Sequence, residues 1–341
     1  LAFVRRFMTG AAAGAAAVMY ARAILRRNDA LRRPRVHDGE GAPLGQRVLR
    51  YSDGEEVEVI DAGPPPEERA GPTLLWVPGA DGPKETFRYQ LPHFARRWRV
   101  VAADLRSGFG PDDEFDRFAD DLLELIEALD AAPVILVGQS LGSAISLRFT
   151  RRFPERVRGL VLANPLARIA YDHVGMNRAL LVPVAIGATR YLPTPASRAL
   201  ALLWSRLGVW IYDDSPGRDR LIDYALYTGP RTVRGSVSGR RVSLLKGLDL
   251  RPEVAQIDVP ALVVKGPRDV YCPPAWAREI AEALPGARYV EIPETGHCSH
   301  ISSPGAFNRV LDAWLRDVVG DADREGLDVA AGPSAVEGGH E

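Results

Sequence analysis

Between about residue 45 and residue 318 the chain alternates short apolar runs, the later ones near-continuous in Val, Leu and Ile, with segments of helix length. That alternation limits the fold more than any other feature. A strand that is apolar at every position must be covered on both faces, which is the condition of a parallel sheet packed between helices. Candidate strands are 47–51, 56–61, 73–77, 99–103, 134–138, 159–163, 261–265 and 288–292, and candidate helices are 84–97, 115–129, 141–153, 274–284 and 304–318. The alternation stops between about 166 and 250, where apolar residues keep helical spacing but form no strand-like run. The expected architecture is therefore an α/β fold. A mostly parallel eight-stranded sheet flanked by helices comes from residues 45–165 and 251–318, and a helical lid is inserted at 166–250.

The ends of the chain have a different character. Residues 7–25 are rich in Ala and Gly, follow Arg5-Arg6 and precede Arg26-Arg27. The segment is barely long enough to cross a bilayer. It reads in three ways: a signal peptide with a poor cleavage site at Ala21-Arg22-Ala23, a membrane anchor, or an amphipathic helix lying on a surface. Arg5-Arg6 loosely resembles a twin-arginine export signal. As an uncleaved anchor, the excess of Arg after it would keep the following domain cytoplasmic. Residues 1–34 are thus expected to be a signal-like or anchor-like segment with a linker, and 320–341, which lack periodicity, a disordered tail.

Composition excludes several classes of function. Lys and Arg number 43 against 44 Asp and Glu, a net charge of −1, so no overall basic field is available to hold a nucleic acid. The three lysines, Lys84, Lys246 and Lys265, read as a bias toward Arg rather than as chemistry. Two Cys cannot build a four-Cys zinc site, and the six His show no HExxH spacing, so no metal and no cofactor is expected.

The chemistry centres on Gly138-Gln139-Ser140-Leu141-Gly142, a G-x-S-x-G pattern. Five residues match such a pattern easily, but here it follows the buried-strand run 133–137 and opens a helix-like run at Leu141. That is the setting of a nucleophile elbow, where Gly138 and Gly142 leave room for a strained turn at Ser140. A serine hydroxyl needs a base. His297, after the run 289–293, stands at a strand end, whereas His300 lies further from it. His93 and His173 read as an exposed helix residue and a lid residue. Asp269 closes the run 262–268 and is placed to orient the imidazole, since open α/β sheets put their sites at the carboxyl ends of strands. Asp249, Asp258 and Glu294 are alternative acids. Cys272 and Cys298 fall beside Asp269 and His297, as two buried thiols or as a disulfide.

From about 45 to 318 the chain resembles the α/β-hydrolase superfamily, whose order of Ser, Asp and His it shares. Residues 76–82, Trp-Val-Pro-Gly-Ala-Asp-Gly, resemble the family's His-Gly-x-x-Gly oxyanion loop, and 103–110 its Asp-x-Arg-Gly-x-Gly segment. Pro78 replaces the usual His, and Ser107 stands as an insertion before Gly108. The resemblance implies that Gly79 supports a turn and that the backbone N–H groups of Ala80 and Leu141 form an oxyanion hole. It implies acyl transfer by Ser140, His297 and Asp269. The apolar residues between 180 and 227, Leu180, Trp204 and Trp210 among them, suggest a small hydrophobic ester as substrate. Lactonase, thioesterase, carbon–carbon hydrolase, cofactor-free haloperoxidase and acyltransferase chemistries share this constellation. A noncatalytic binding descendant and a membrane-tethering role for residues 7–25 are the alternatives of another class.

Overall fold

The structure is a computed structural model. It describes residues 18–20, 22–23, 36–37, 44–111, 113–169, 196, 199–200, 202–203, 215–227 and 235–319. Eight strands form one sheet: β1 Gln46–Arg50, β2 Glu56–Ala62, β3 Thr73–Val77, β4 Val100–Ala103, β5 Val134–Gln139, β6 Val157–Ala163, β7 Ala261–Lys265 and β8 Arg288–Glu291. Their order across the sheet is β1-β2-β4-β3-β5-β6-β7-β8. β2 runs antiparallel to both of its neighbours, and every other pairing is parallel. All eight expected strands are present, with no end displaced by more than two residues.

The central strands alternate their side chains between two apolar layers. On one face Leu75, Val77, Leu136, Leu160, Leu162 and Val263 pack with Phe118, Leu122 and Leu125 of α1 (Arg117–Ala128), Ala144 and Ile145 of α2 (Leu141–Arg152), and later helices. On the other face Leu74, Trp76, Ile135, Val137, Val161, Leu262 and Val264 pack with Phe87, Phe94, Phe307, Leu311 and Trp314. Coverage on both sides is why these strands carry no polar alternation.

Four of the five expected helices form: α1, α2, α5 (Pro274–Ala283) and α6 (Pro304–Val319). The fifth, expected over 84–97, does not. It breaks into a 3₁₀ turn at Lys84–Phe87 and a helical turn at Leu91–Phe94. Pro92 lies in the first turn of the second piece, where its missing N–H costs nothing, but one continuous helix would have required that hydrogen bond. Phe87, Leu91 and Phe94 still face the core.

Within 166–250, the described residues include two helices, α3 (Arg218–Tyr227) and α4 (Gly235–Ser243), further helical positions at 196, 199–200 and 202–203, and an isolated bridge between Arg168 and Asp249. Of the apolar residues expected to line a lid pocket, Leu200 and Leu202 are partly buried and Leu203 is exposed. Leu180, Trp204 and Trp210, together with His173, lie outside the described residues. So do the expected tail and most of 7–25, of which 18–20 and 22–23 are helical and exposed. Among the described residues, no helix is long and apolar enough to cross a membrane.

Candidate active site

Ser140 follows β5 directly and precedes α2, with φ 52° and ψ −117°. Few non-glycine residues occupy positive φ, and here the sheet and helix on either side hold the strain. The two flanking glycines are required by close approach. A side chain at Gly138 would strike the Gly142 carbonyl and Ser146 Oγ, and one at Gly142 would strike the Val77 and Pro78 carbonyls at the end of β3. The turn is tightened by Ser143 Oγ, which donates to Ser140 O at 2.5 Å. Ser140 Oγ meets the loop after β8, where His297 stands. The N–H of Leu141 opens α2 and has no helical carbonyl behind it.

The structure brings Ser140, His297 and Asp269 together across 157 and 28 residues of sequence. Ser140 Oγ lies 2.9 Å from His297 Nε2, and His297 Nδ1 lies 2.9 Å from Asp269 Oδ2. His300 does not join them. It is fully buried, with Nε2 3.0 Å from Thr86 Oγ1, and burial pushes its pKa down to about 3, so it stays neutral. Asp249 pairs with Arg251, Glu294 with Arg268, and Asp258 is exposed. His93 lies 2.7 Å from Asp312 on the surface.

Burial opposes the charged form of both partners. For Asp269 the neighbouring His297 and Lys265 outweigh burial and hold its carboxyl well below the usual range. For His297 the Asp269 carboxylate outweighs burial and raises the imidazole above its ordinary value. An imidazolium at this position is therefore favoured, as a proton-accepting base requires once it has taken its proton.

Gly79, Ala80, Asp81 and Gly82 form a tight turn after β3, closed by Gly82 N–H donating to Gly79 O at 2.9 Å. Gly79 abuts Ser140 and Gln139, so a Cβ there would contact both. The turn thus sits beside Ser140, with Ala80 at its apex.

The model of the alpha/beta hydrolase family matches residues 74–310, well over half of the chain. The chain belongs to the alpha/beta hydrolase family. Its relatives differ in the chemistry for which they are named. BpoC of Mycobacterium tuberculosis, which carries the name of a non-heme bromoperoxidase, is 29% identical over 270 residues, covering 73% of this chain and 95% of BpoC. The 3-oxoadipate enol-lactonase 2 of Acinetobacter baylyi is 24% identical over 253 residues, covering 72% of this chain and 89% of its own. Among solved structures, the esterase RhEst1 from Rhodococcus superposes with a TM-score of 0.63 at 20% identity, covering 80% of this chain and 98% of that one, a likeness of fold.

In this hydrolase the surroundings of Asp269 include side chains that sequence reasoning passed over. Asn164, at the end of β6 with φ 49°, donates from Nδ2 to Asp269 Oδ2 at 3.0 Å and to Gly296 O at 2.9 Å. Tyr271 and Cys272 N–H groups donate to Asp269 Oδ1 at 2.9 and 3.0 Å. Lys265, read from composition as uninformative, is fully buried with Nζ 2.5 Å from Asp269 Oδ2, and it also donates to Cys272 O. Lys84 is likewise fully buried, among Glu58, Glu85 and Asp104. Asn164 and Lys265 both sit at carboxyl ends of strands, the one signal that could have found them. Cys272 and Cys298 are both buried and form no disulfide, which removes the expected alternative of a bridge. Asp269, Cys272 and His297 present donor atoms within 4.8 Å of one another, but Lys265 and His297 already occupy the carboxylate.

Ser107, read as an insertion in the 103–110 segment, is accommodated. Glu55 Oε1 accepts the Ser107 and Gly108 N–H groups at 2.7 and 3.1 Å. Arg106 meanwhile pairs with Asp121 at 2.6 Å and with Asp53 at 2.9 Å.

Proposed function

We propose that this hydrolase cleaves a carboxylic ester of a small hydrophobic substrate through an acyl-enzyme on Ser140. The observation that carries the reading is the unbroken line from Ser140 Oγ to His297 to Asp269, with both links at 2.9 Å and Ser140 on a strained turn. As Ser140 Oγ attacks the ester carbonyl carbon, its proton passes to His297 Nε2. The carbonyl oxygen gains negative charge and is held by the N–H groups of Ala80 and Leu141, with the start of α2 favouring that charge. His297 then gives its proton to the departing alkoxide, leaving Ser140 acylated. Water attacks the acyl-enzyme with His297 again as base, and as the bond to the acyl carbon breaks His297 returns the proton to Ser140 Oγ and the acid departs. Asp269 keeps the proton on His297 Nδ1, so that Nε2 is free to accept.

The enol-lactonase relative supports this class, because a lactone is an ester closed on itself and breaks by the same steps. Preference for hydrophobic esters rests on the apolar character of residues 180–227, with 166–250 acting as a lid. The test is hydrolysis of p-nitrophenyl esters from acetate to decanoate by the full chain and by Ser140→Ala. The reading expects parent activity that grows with acyl length to an optimum and falls by about 10³ or more in the variant. Equal activity in the two proteins would overturn it, as would inactivity of the parent on every ester.

A further inference from the structure

Arg241 lies on α4, in the segment inserted between β6 and β7, and is 2% exposed. It donates all of its described hydrogen bonds to backbone carbonyls. Nη1 reaches Ala80 O at 3.2 Å and Asp81 O at 3.0 Å, Nη2 reaches Leu105 O at 2.6 Å and Arg106 O at 2.8 Å, and Nε reaches Arg106 O at 3.0 Å. Ala80 and Asp81 are the two central residues of the turn closed by Gly82 N–H and Gly79 O. One planar guanidinium gathers both of their carbonyls and ties them to the chain leaving β4. A planar fork of five N–H donors can do this, whereas an ammonium cannot.

Two further observations bear on the same contact. Gly82 has φ 87°, and a Cβ there would overlap the Arg241 guanidinium, so the turn is shaped to receive this side chain. Tyr224 of α3 donates its hydroxyl to Asp81 Oδ2, so a second residue from the insertion holds the same turn. Burial lowers the Arg241 pKa to about 10, with Asp81, Asp104 and Glu55 opposing that fall, so the group stays charged at neutral pH.

We propose that Arg241 is a positioning residue for the reaction. From the inserted segment it fixes the Gly79–Gly82 turn so that the Ala80 N–H is aimed at the oxygen that becomes negative when Ser140 attacks. The inference rests on the serine-hydrolase reading above, with Ala80 as one of the two donors. A donor that must be in place before the charge develops contributes little to substrate binding and much to the transition state. Removing its support should therefore appear in kcat and not in KM.

The experiment uses the full chain as parent, Ser140→Ala, Arg241→Ala and Arg241→Lys, each checked for folding by circular dichroism and thermal melting. The readouts are kcat and KM on the best p-nitrophenyl ester and inhibition by an alkylboronic acid, whose adduct with serine places an oxygen in the oxyanion hole. Arg241→Ala should lose about 10²–10³ in kcat with KM little changed. Boronate affinity should fall with it, and millimolar guanidinium should restore part of kcat. Arg241→Lys should lose at least about tenfold in kcat, because it keeps the charge without the fork, and this variant decides the matter if Arg241→Ala fails to fold. A folded variant with kcat within about twofold of the parent, a loss confined to KM, or unchanged boronate affinity would overturn the proposal. If Ser140→Ala keeps the parent's activity, the serine reading itself fails and this proposal with it. If Ser140→Ala is inactive while Arg241→Ala keeps kcat, only the role of Arg241 fails.

Discussion

The two sides of Ser140 are built differently. On the base side every group that holds Asp269 comes from the sheet and the loops that leave it: Asn164 after β6, Lys265 at the end of β7, the Tyr271 and Cys272 amides, and His297 after β8. On the oxyanion side, the Ala80 turn is held by the Gly82 N–H to Gly79 O bond within it, by one core contact, the Leu105 N–H donating to Gly82 O at 2.8 Å, and, from outside the core, by Arg241 and Tyr224 of the inserted segment. On the function proposed above, the acid–base contacts come from the core, while the turn that carries Ala80 takes further support from the insertion.

Changes on the base side should have the largest effects. Ser140→Ala and His297→Ala are each expected to lower kcat/KM by on the order of 10⁴ or more, and the double variant should be no worse than either alone, because the two act as one unit. Steady-state kinetics of the three proteins tests this, and additive losses would mean that the residues act separately. Asp269→Asn should keep the fold but favour the wrong imidazole tautomer, costing about 10³–10⁴ in kcat. A loss below about tenfold would remove Asp269 from the chemistry.

A smaller effect concerns pH. Burial alone would lower the His297 pKa, but Asp269 raises it above the ordinary 6.5, and the base must be neutral to act. The acid limb of kcat/KM should therefore have its midpoint above 6.5, with activity rising as pH rises through it. The Lys265 ammonium beside Asp269 opposes the imidazolium, so Lys265→Met should move that midpoint higher still. A midpoint at or below the parent's, in the pH profile of kcat/KM, would contradict the arrangement. The smallest effect is expected at the far end of the chain. None of the contacts described at Ser140, Asp269 or Ala80 involves residues before Gln46, so deleting residues 1–30 should leave kcat/KM within about twofold.

How much of this was legible in the sequence follows the distance over which each feature is specified. Runs such as Val134–Val137 and Ala261–Val264 state their burial in four consecutive residues, with Ser140 three residues beyond the first and Asp269 five beyond the second, and His297 follows β8. The continuous helix over 84–97 was misread because Phe87, Leu91 and Phe94 keep helical spacing while Pro92 resets the backbone between them. Asn164 and Lys265 act on Asp269 through side chains that composition treats as ordinary. Arg241 meets Ala80 across 161 residues, and no local pattern marks one arginine among so many as the one that turns inward.

Labelling of the native protein with a fluorophosphonate, followed by peptide mass spectrometry, tests the central claim most directly. The account predicts one adduct, on Ser140, that forms rapidly in the parent and is lost or strongly slowed in His297→Ala. A label on another residue, no label on folded protein, or labelling of Ser140 that is as fast without His297 would contradict it.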